Sequence, residues 1–131
     1  MILADTSAWI EFLRRTGSTT AEAMRARFQA VEVATTDIVV LEVLAGTTDA
    51  ARLSAWERAL DACTFLAQEP RLDAVEAADL YRRCRQSGES PRQLTDCLIA
   101  AVALRNEVEL LHRDKDFDVI ARHSGLRVAS S

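Results

Sequence analysis

Acidic side chains occupy positions in this 131-residue chain where burial is expected. Asp5 follows the apolar run Met1-Ile2-Leu3-Ala4, Glu42 lies inside Ile38-Val39-Val40-Leu41-Glu42-Val43-Leu44-Ala45, and Asp96 opens Cys97-Leu98-Ile99-Ala100-Ala101-Val102-Ala103-Leu104. An isolated ionised carboxylate in low dielectric costs several kcal/mol, so such groups must be protonated, salt-bridged or gathered around a cation. The neighbouring sequence offers few bases, which points to an acidic metal site.

Taken singly, each acid has a bland reading. Asp5, between a strand and a helix, reads first as an N-cap. Asp96 has the same option, yet the segment behind it is apolar nearly all round, which puts that helix terminus in the core. Asp114 and Asp116, in His112-Arg113-Asp114-Lys115-Asp116-Phe117, fit a turn plus a cap. Glu42 is harder to dismiss, because Ile38, Val39, Ala45 and Gly46 at i±3 and i±4 cannot pair with it. Jointly the acids read differently: like charges converging on one rim repel by about 1 to 4 kcal/mol per close pair, and a divalent cation relieves this. All the donors are hard oxygens, so Mg²⁺ or Mn²⁺ is expected over zinc. Such an ion lowers the pKa of a bound water and stabilises charge on a scissile phosphate, which is nuclease chemistry.

Around these acids, Thr6 and Ser7 are placed to hold Asp5 or a metal-bound water, or to extend the cap. Arg92 and Arg113 are candidates for backbone phosphate contacts, with solvated surface charge as the plain alternative. His112 and His123 lack metal-ligand spacing to a second His and take no role as general base. Trp9, Phe12 and Trp56 fit either the core or a groove for a partner helix.

The elements that must position these residues alternate. Met1 to Ala4 reads as a buried strand, with a helix through Ala8, Trp9, Phe12 and Leu13 after it. A second helix runs to about Gln29, a strand is expected at Val31 to Ala34, and a third helix from Thr36 or Asp37 ends at Gly46. A helix carrying Leu53, Trp56 and Leu60, a short strand at Thr64 to Leu66 and a break at Pro70 follow. Beyond them come helices from about Asp73 to Gln86 and from Leu94 to Asn106, a strand at Glu109 to Leu111, a helix from Asp116 to His123 and a last strand at Leu126 to Ala129. This pattern indicates an α/β sandwich with a central, mainly parallel sheet, in which ligands bind outside the carboxyl ends of the strands. Asp5 and the pair Asp114 and Asp116 are aimed at that rim.

The size and a hydrophobic fraction of 49% suit a single domain over residues 1–131. A net charge of -4 argues against bulk electrostatic binding of nucleic acid, while leaving room for a local basic rim. No segment is apolar enough to span a membrane and no secretory signal is visible, so a cytoplasmic location is expected. Cys63, Cys84 and Cys97 show neither a disulfide framework nor zinc spacing and read as free thiols.

Asp5-Thr6-Ser7-Ala8-Trp9-Ile10, Glu42 in its apolar helix, Asp96-Cys97-Leu98-Ile99-Ala100-Ala101 and Asp114-Lys115-Asp116-Phe117 occur in the order and approximate spacing of PIN-domain ribonucleases. Along its whole length the chain resembles a VapC-type toxin of a toxin–antitoxin pair. One departure is His112, where many relatives carry Thr or Ser. The resemblance implies that Asp5, Asp96 and Asp114 bind Mg²⁺ or Mn²⁺, with Glu42 and Asp116 completing the pocket. It implies an endoribonuclease that leaves 3′-hydroxyl and 5′-phosphate ends, forms a homodimer and is neutralised by a cognate VapB-type antitoxin. Two competing readings are a PIN-like module that docks an antitoxin or RNA without cutting, and a Mg²⁺-dependent phosphatase of the haloacid dehalogenase type. The phosphatase needs an Asp where this chain has Ser7.

Overall fold

The computed structural model describes residues 1–129. Four parallel strands form one sheet in the order β3-β2-β1-β4: β1 (Ile2–Ala4), β2 (Val33–Thr35), β3 (Thr64–Phe65) and β4 (Glu109–Leu111). Seven helices flank it: α1 (Thr6–Leu13), α2 (Thr19–Gln29), α3 (Asp37–Leu44), α4 (Ala50–Asp61), α5 (Pro70–Gln86), α6 (Leu94–Arg105) and α7 (Lys115–Arg122). The strand expected at Leu126 to Ala129 is reduced to a single parallel bridge between Leu110 and Val128.

β1 is central, and Ile2, Leu3 and Ala4 are all fully buried, as a strand covered by helices on both faces must be. Its partners are Val33 and Ala34 on one side and Glu109, Leu110 and Leu111 on the other. The chain fills the sheet outward from β1 to β2 and β3, then returns to place β4 on β1's free edge. The order therefore reverses between β1 and β4, and a crevice opens at their carboxyl ends, where open α/β sheets bind ligands. α6, buried on nearly every face from Cys97 to Ala103, packs heavily against α5 and holds Asp96 beside this crevice.

Several boundaries shift by one to three residues from the sequence-based expectation, and two of the shifts have a clear physical reason. β2 starts at Val33 instead of Val31, because Val31 is 73% exposed and adopts a left-handed backbone with φ of 58° where the chain leaves α2. α5 starts at Pro70 instead of Asp73, since proline in the first turn gives up only an N–H that has no intrahelical partner anyway. Four of the helices carry side-chain cap bonds: Asp5 accepts from Ala8, Ser18 from Ala21, Asp49 from Ala51 and Arg52, and Asp114 from Asp116.

Candidate active site

Asp5 leaves the end of β1, and its own N–H donates to Leu111 of β4 at 3.0 Å, so the two strands that bound the crevice are joined at the acid. The side chain is 3% exposed. Its Oδ1 accepts from the Ala8 N–H at 2.9 Å, and the Ser7 hydroxyl lies 2.7 and 2.8 Å from its two oxygens. Ser7 Oγ in turn accepts the Arg113 N–H at 2.8 Å, which ties the loop after β4 to the loop after β1. Asp5 is thus both a cap and a member of the acid cluster. Burial dominates its proton affinity and, despite these hydrogen bonds, pushes its pKa up to about 7.

Asp96 sits in the first turn of α6 and is 7% exposed. Burial, then the charges of Asp114, Asp5, Asp116 and Glu42, all act in the same direction and push its pKa up to about 7. None of these largest influences is a basic group. The other four acids singled out in the sequence therefore all lie near enough to Asp96 to act on it. Asp114 caps α7 by accepting the Asp116 N–H at 3.0 Å. Glu42 is half-buried and accepts the Thr6 hydroxyl at 2.7 Å, a partner its own helix cannot supply.

The cleft, of about 460 Å³, is lined by Asp5, Thr6, Ser7, Glu42, Ala45, Gly46, Gln93, Asp96 and Asp114. Gln93, at the N-cap position of α6, is a lining residue that sequence reasoning missed; its place just before Asp96 is the only local signal. One oxygen from each of Asp96, Asp114 and Asp116 lies within 4.8 Å of the others. A magnesium ion takes octahedral oxygen ligands at about 2.1 Å, so a modest contraction or bridging waters would close these groups around it. An all-carboxylate donor set and two buried acids that resist ionising fit a hard divalent cation.

Arg92 and Arg113 are not free of the protein. Arg92 reaches Asp116 Oδ2 through Nε at 3.0 Å and Asp114 Oδ1 through Nη2 at 3.2 Å. Arg113 pairs with Glu11 at 2.6 Å. Both heads stay more than half exposed, which leaves guanidinium donors for an incoming anion. His112 lies just outside the cleft, its Nδ1 accepting the Asp114 N–H at 2.9 Å. On another face, Phe12, Phe28 and Trp56 line an apolar groove between α1, α2 and α4, while Trp9 is fully buried in the core.

An acid cluster at this switch point of a small parallel sheet is the arrangement of the PIN domain, and residues 2–123 match that family, to which the chain belongs. Within the family it falls with the VapC ribonucleases: ribonuclease VapC11 of Mycobacterium tuberculosis is 41% identical over 132 residues, covering 99% of this chain and 98% of its own length. Among solved structures, FitAcB from Neisseria gonorrhoeae superposes with a TM-score of 0.74 at 20% identity, over 99% of this chain and 97% of that one. A toxin–antitoxin complex from Klebsiella pneumoniae gives 0.69 at 21%, over 89% and 90%. These two likenesses bear on the fold.

Proposed function

We propose that the chain is a Mg²⁺- or Mn²⁺-dependent endoribonuclease toxin, one nuclease domain over residues 1–131, held inactive by a cognate VapB-type antitoxin. The observation that carries this reading is that Asp5, Glu42, Asp96 and Asp114 line one cleft with buried Asp116 beside them, and that burial and neighbouring acids raise the proton affinities of Asp5 and Asp96. Asp5, Asp96 and Asp114 hold the ion, and Glu42 and Asp116 complete the pocket, partly through water. When bound, the ion supplies a water of lowered pKa and positive charge for the scissile phosphate. Thr6 fixes the rotamer of Glu42, Ser7 fixes Asp5, and the exposed edges of Arg92 and Arg113 meet the RNA backbone. Products carry 3′-hydroxyl and 5′-phosphate ends.

The kinship with VapC ribonucleases supports the RNase reading, and the likeness to a toxin–antitoxin complex from Klebsiella pneumoniae supports an antitoxin partner. The fork of Arg92 on Asp114 and Asp116 is the contact a guanidinium makes with this cluster, and a guanidinium is the group an inhibitory partner would present. The homodimer and the cytoplasmic location rest on the resemblance to VapC-type toxins. The same guanidinium fit favours the docking-module reading as the second choice.

Antitoxin-free protein incubated with structured RNA tests the choice. Cleavage should stop with EDTA and return with Mg²⁺ or Mn²⁺, leaving 5′-phosphate ends. Cutting that persists in EDTA overturns the mechanism, and RNA binding without cutting at any metal concentration supports the docking module.

A further inference from the structure

We infer that His112 is a positioning residue for the acid cluster: an acceptor nitrogen on its ring fixes the backbone of Asp114 and, through it, the carboxylates of Asp114 and Asp116. This rests on the metal-site reading above. The Asp114 N–H donates to His112 Nδ1 at 2.9 Å across two residues, the geometry by which Asn, Asp, Ser or Thr closes a turn with its own side chain. A ring nitrogen that accepts carries no proton, so the imidazole is the neutral tautomer with its proton on Nε2. Asp118 Oδ1, which can only accept, lies 3.2 Å from Nε2 and selects that tautomer.

The ring is held in place as well as in proton state. Its side chain is 7% exposed and packs on Phe117 with centroids 5.3 Å apart. Phe117 is itself fully buried, so the turn is clamped to the core of α7. From Asp114 the constraint passes on: its Oδ1 accepts the Asp116 N–H at 3.0 Å, so a shift in one acid displaces the other. Histidine here does what a hydroxyl or a carboxamide would do, and adds a tautomer lock. The role belongs to the acceptor atom, not to the ring.

The test is Mn²⁺ titration calorimetry on the full chain and on variants that keep or lose the acceptor. His112→Asn and His112→Thr should hold affinity near wild type. His112→Leu, of similar bulk with no acceptor, should weaken it by about 10- to 100-fold, the usual loss when a group that orients a metal ligand is removed. In the metal-free protein, nitrogen NMR should show His112 protonated at Nε2 and a slowly exchanging Asp114 amide that speeds up in His112→Leu. Affinity unchanged in His112→Leu, or equally poor in folded His112→Thr and His112→Leu, overturns the inference, as does a proton on Nδ1. Should His112→Leu not fold, Asp118→Ala leaves the ring in place and is expected to mix the tautomers and weaken Mn²⁺ several-fold. If the wild-type chain binds no Mn²⁺ the metal reading falls, and the tautomer and the Asp114 amide still decide the turn.

Discussion

Asp73 and Asp96 are both buried aspartates in the first turns of consecutive helices, α5 and α6, and they meet opposite surroundings. Asp73 is clamped by Arg105, with Nε at 2.8 Å and Nη2 at 2.9 Å, and also accepts the Glu69 N–H at 2.8 Å. Burial raises its proton affinity, but those hydrogen bonds and the Arg105 charge outweigh it and hold its pKa below the ordinary value. Asp96 has burial without that compensation and four more acids for company. Burial alone therefore does not mark a site. What separates these two acids is that the fold pairs Asp73 with a guanidinium of its own and leaves Asp96 facing other carboxylates.

The largest expected effect breaks the pair by function. Asp96→Ala should lower RNA cleavage by on the order of a thousandfold, through lost charge stabilisation at the phosphate. Asp73→Asn should leave the rate per folded molecule near wild type. Equal losses in the two, measured on the same RNA with folded fractions matched, would erase the distinction.

Stability should show the reverse ranking. Arg105→Ala strands Asp73 as a buried unpaired charge and should cost about 3 kcal/mol in urea unfolding. Arg92→Ala, whose head is 67% exposed, should cost less than about 1 kcal/mol.

The two acids should also bend the pH dependence in opposite senses. In the metal-free protein Asp96 rises from an ordinary 3.8 to about 7, so between those values the folded state binds more protons than the unfolded state. Its contribution to stability therefore falls as pH rises through that window and is level above it. Asp5 follows the same sign. Asp73, with its pKa lowered, stabilises the fold above the ordinary carboxylate value and loses that contribution as pH falls through its own. Denaturation midpoints from pH 4 to 8 check this, and Asp96→Asn should flatten the curve.

Mg²⁺ gives the smallest shift. At ten times its dissociation constant it should add about 1.4 kcal/mol, seen as a higher melting temperature. Asp96→Asn should shrink that gain while Asp73→Asn preserves it; a gain that survives in Asp96→Asn would place the ion elsewhere.

Much of the fold and the site is legible along the chain. The alternation of strands and helices, and the caps at Asp5, Ser18 and Asp49, depend on local periodicity and on side chains bonding backbone two or three residues away. Asp5 stands out because it closes a strand, Glu42 because it interrupts an apolar run, Asp96 because it opens one, and Asp114 and Asp116 because they follow the Glu109–Leu111 strand. Val31 and Pro70 fall on the wrong side of their boundaries because a left-handed residue and a first-turn proline obey rules that periodicity does not carry.

The amino-acid order by itself determined which residues are acidic, which faces are apolar and that the strands run parallel, since those follow from side-chain chemistry and short-range geometry. Tertiary structure alone decided the partners. Thr6 reaches Glu42 across 36 residues, Arg105 reaches Asp73 across 32, and the Arg113 amide reaches Ser7 across 106. Whether a buried carboxylate is neutralised or left facing other acids depends on where β4, α5 and α6 pack around β1. Electrostatic energy depends on distance through space, which the fold sets and separation along the chain does not.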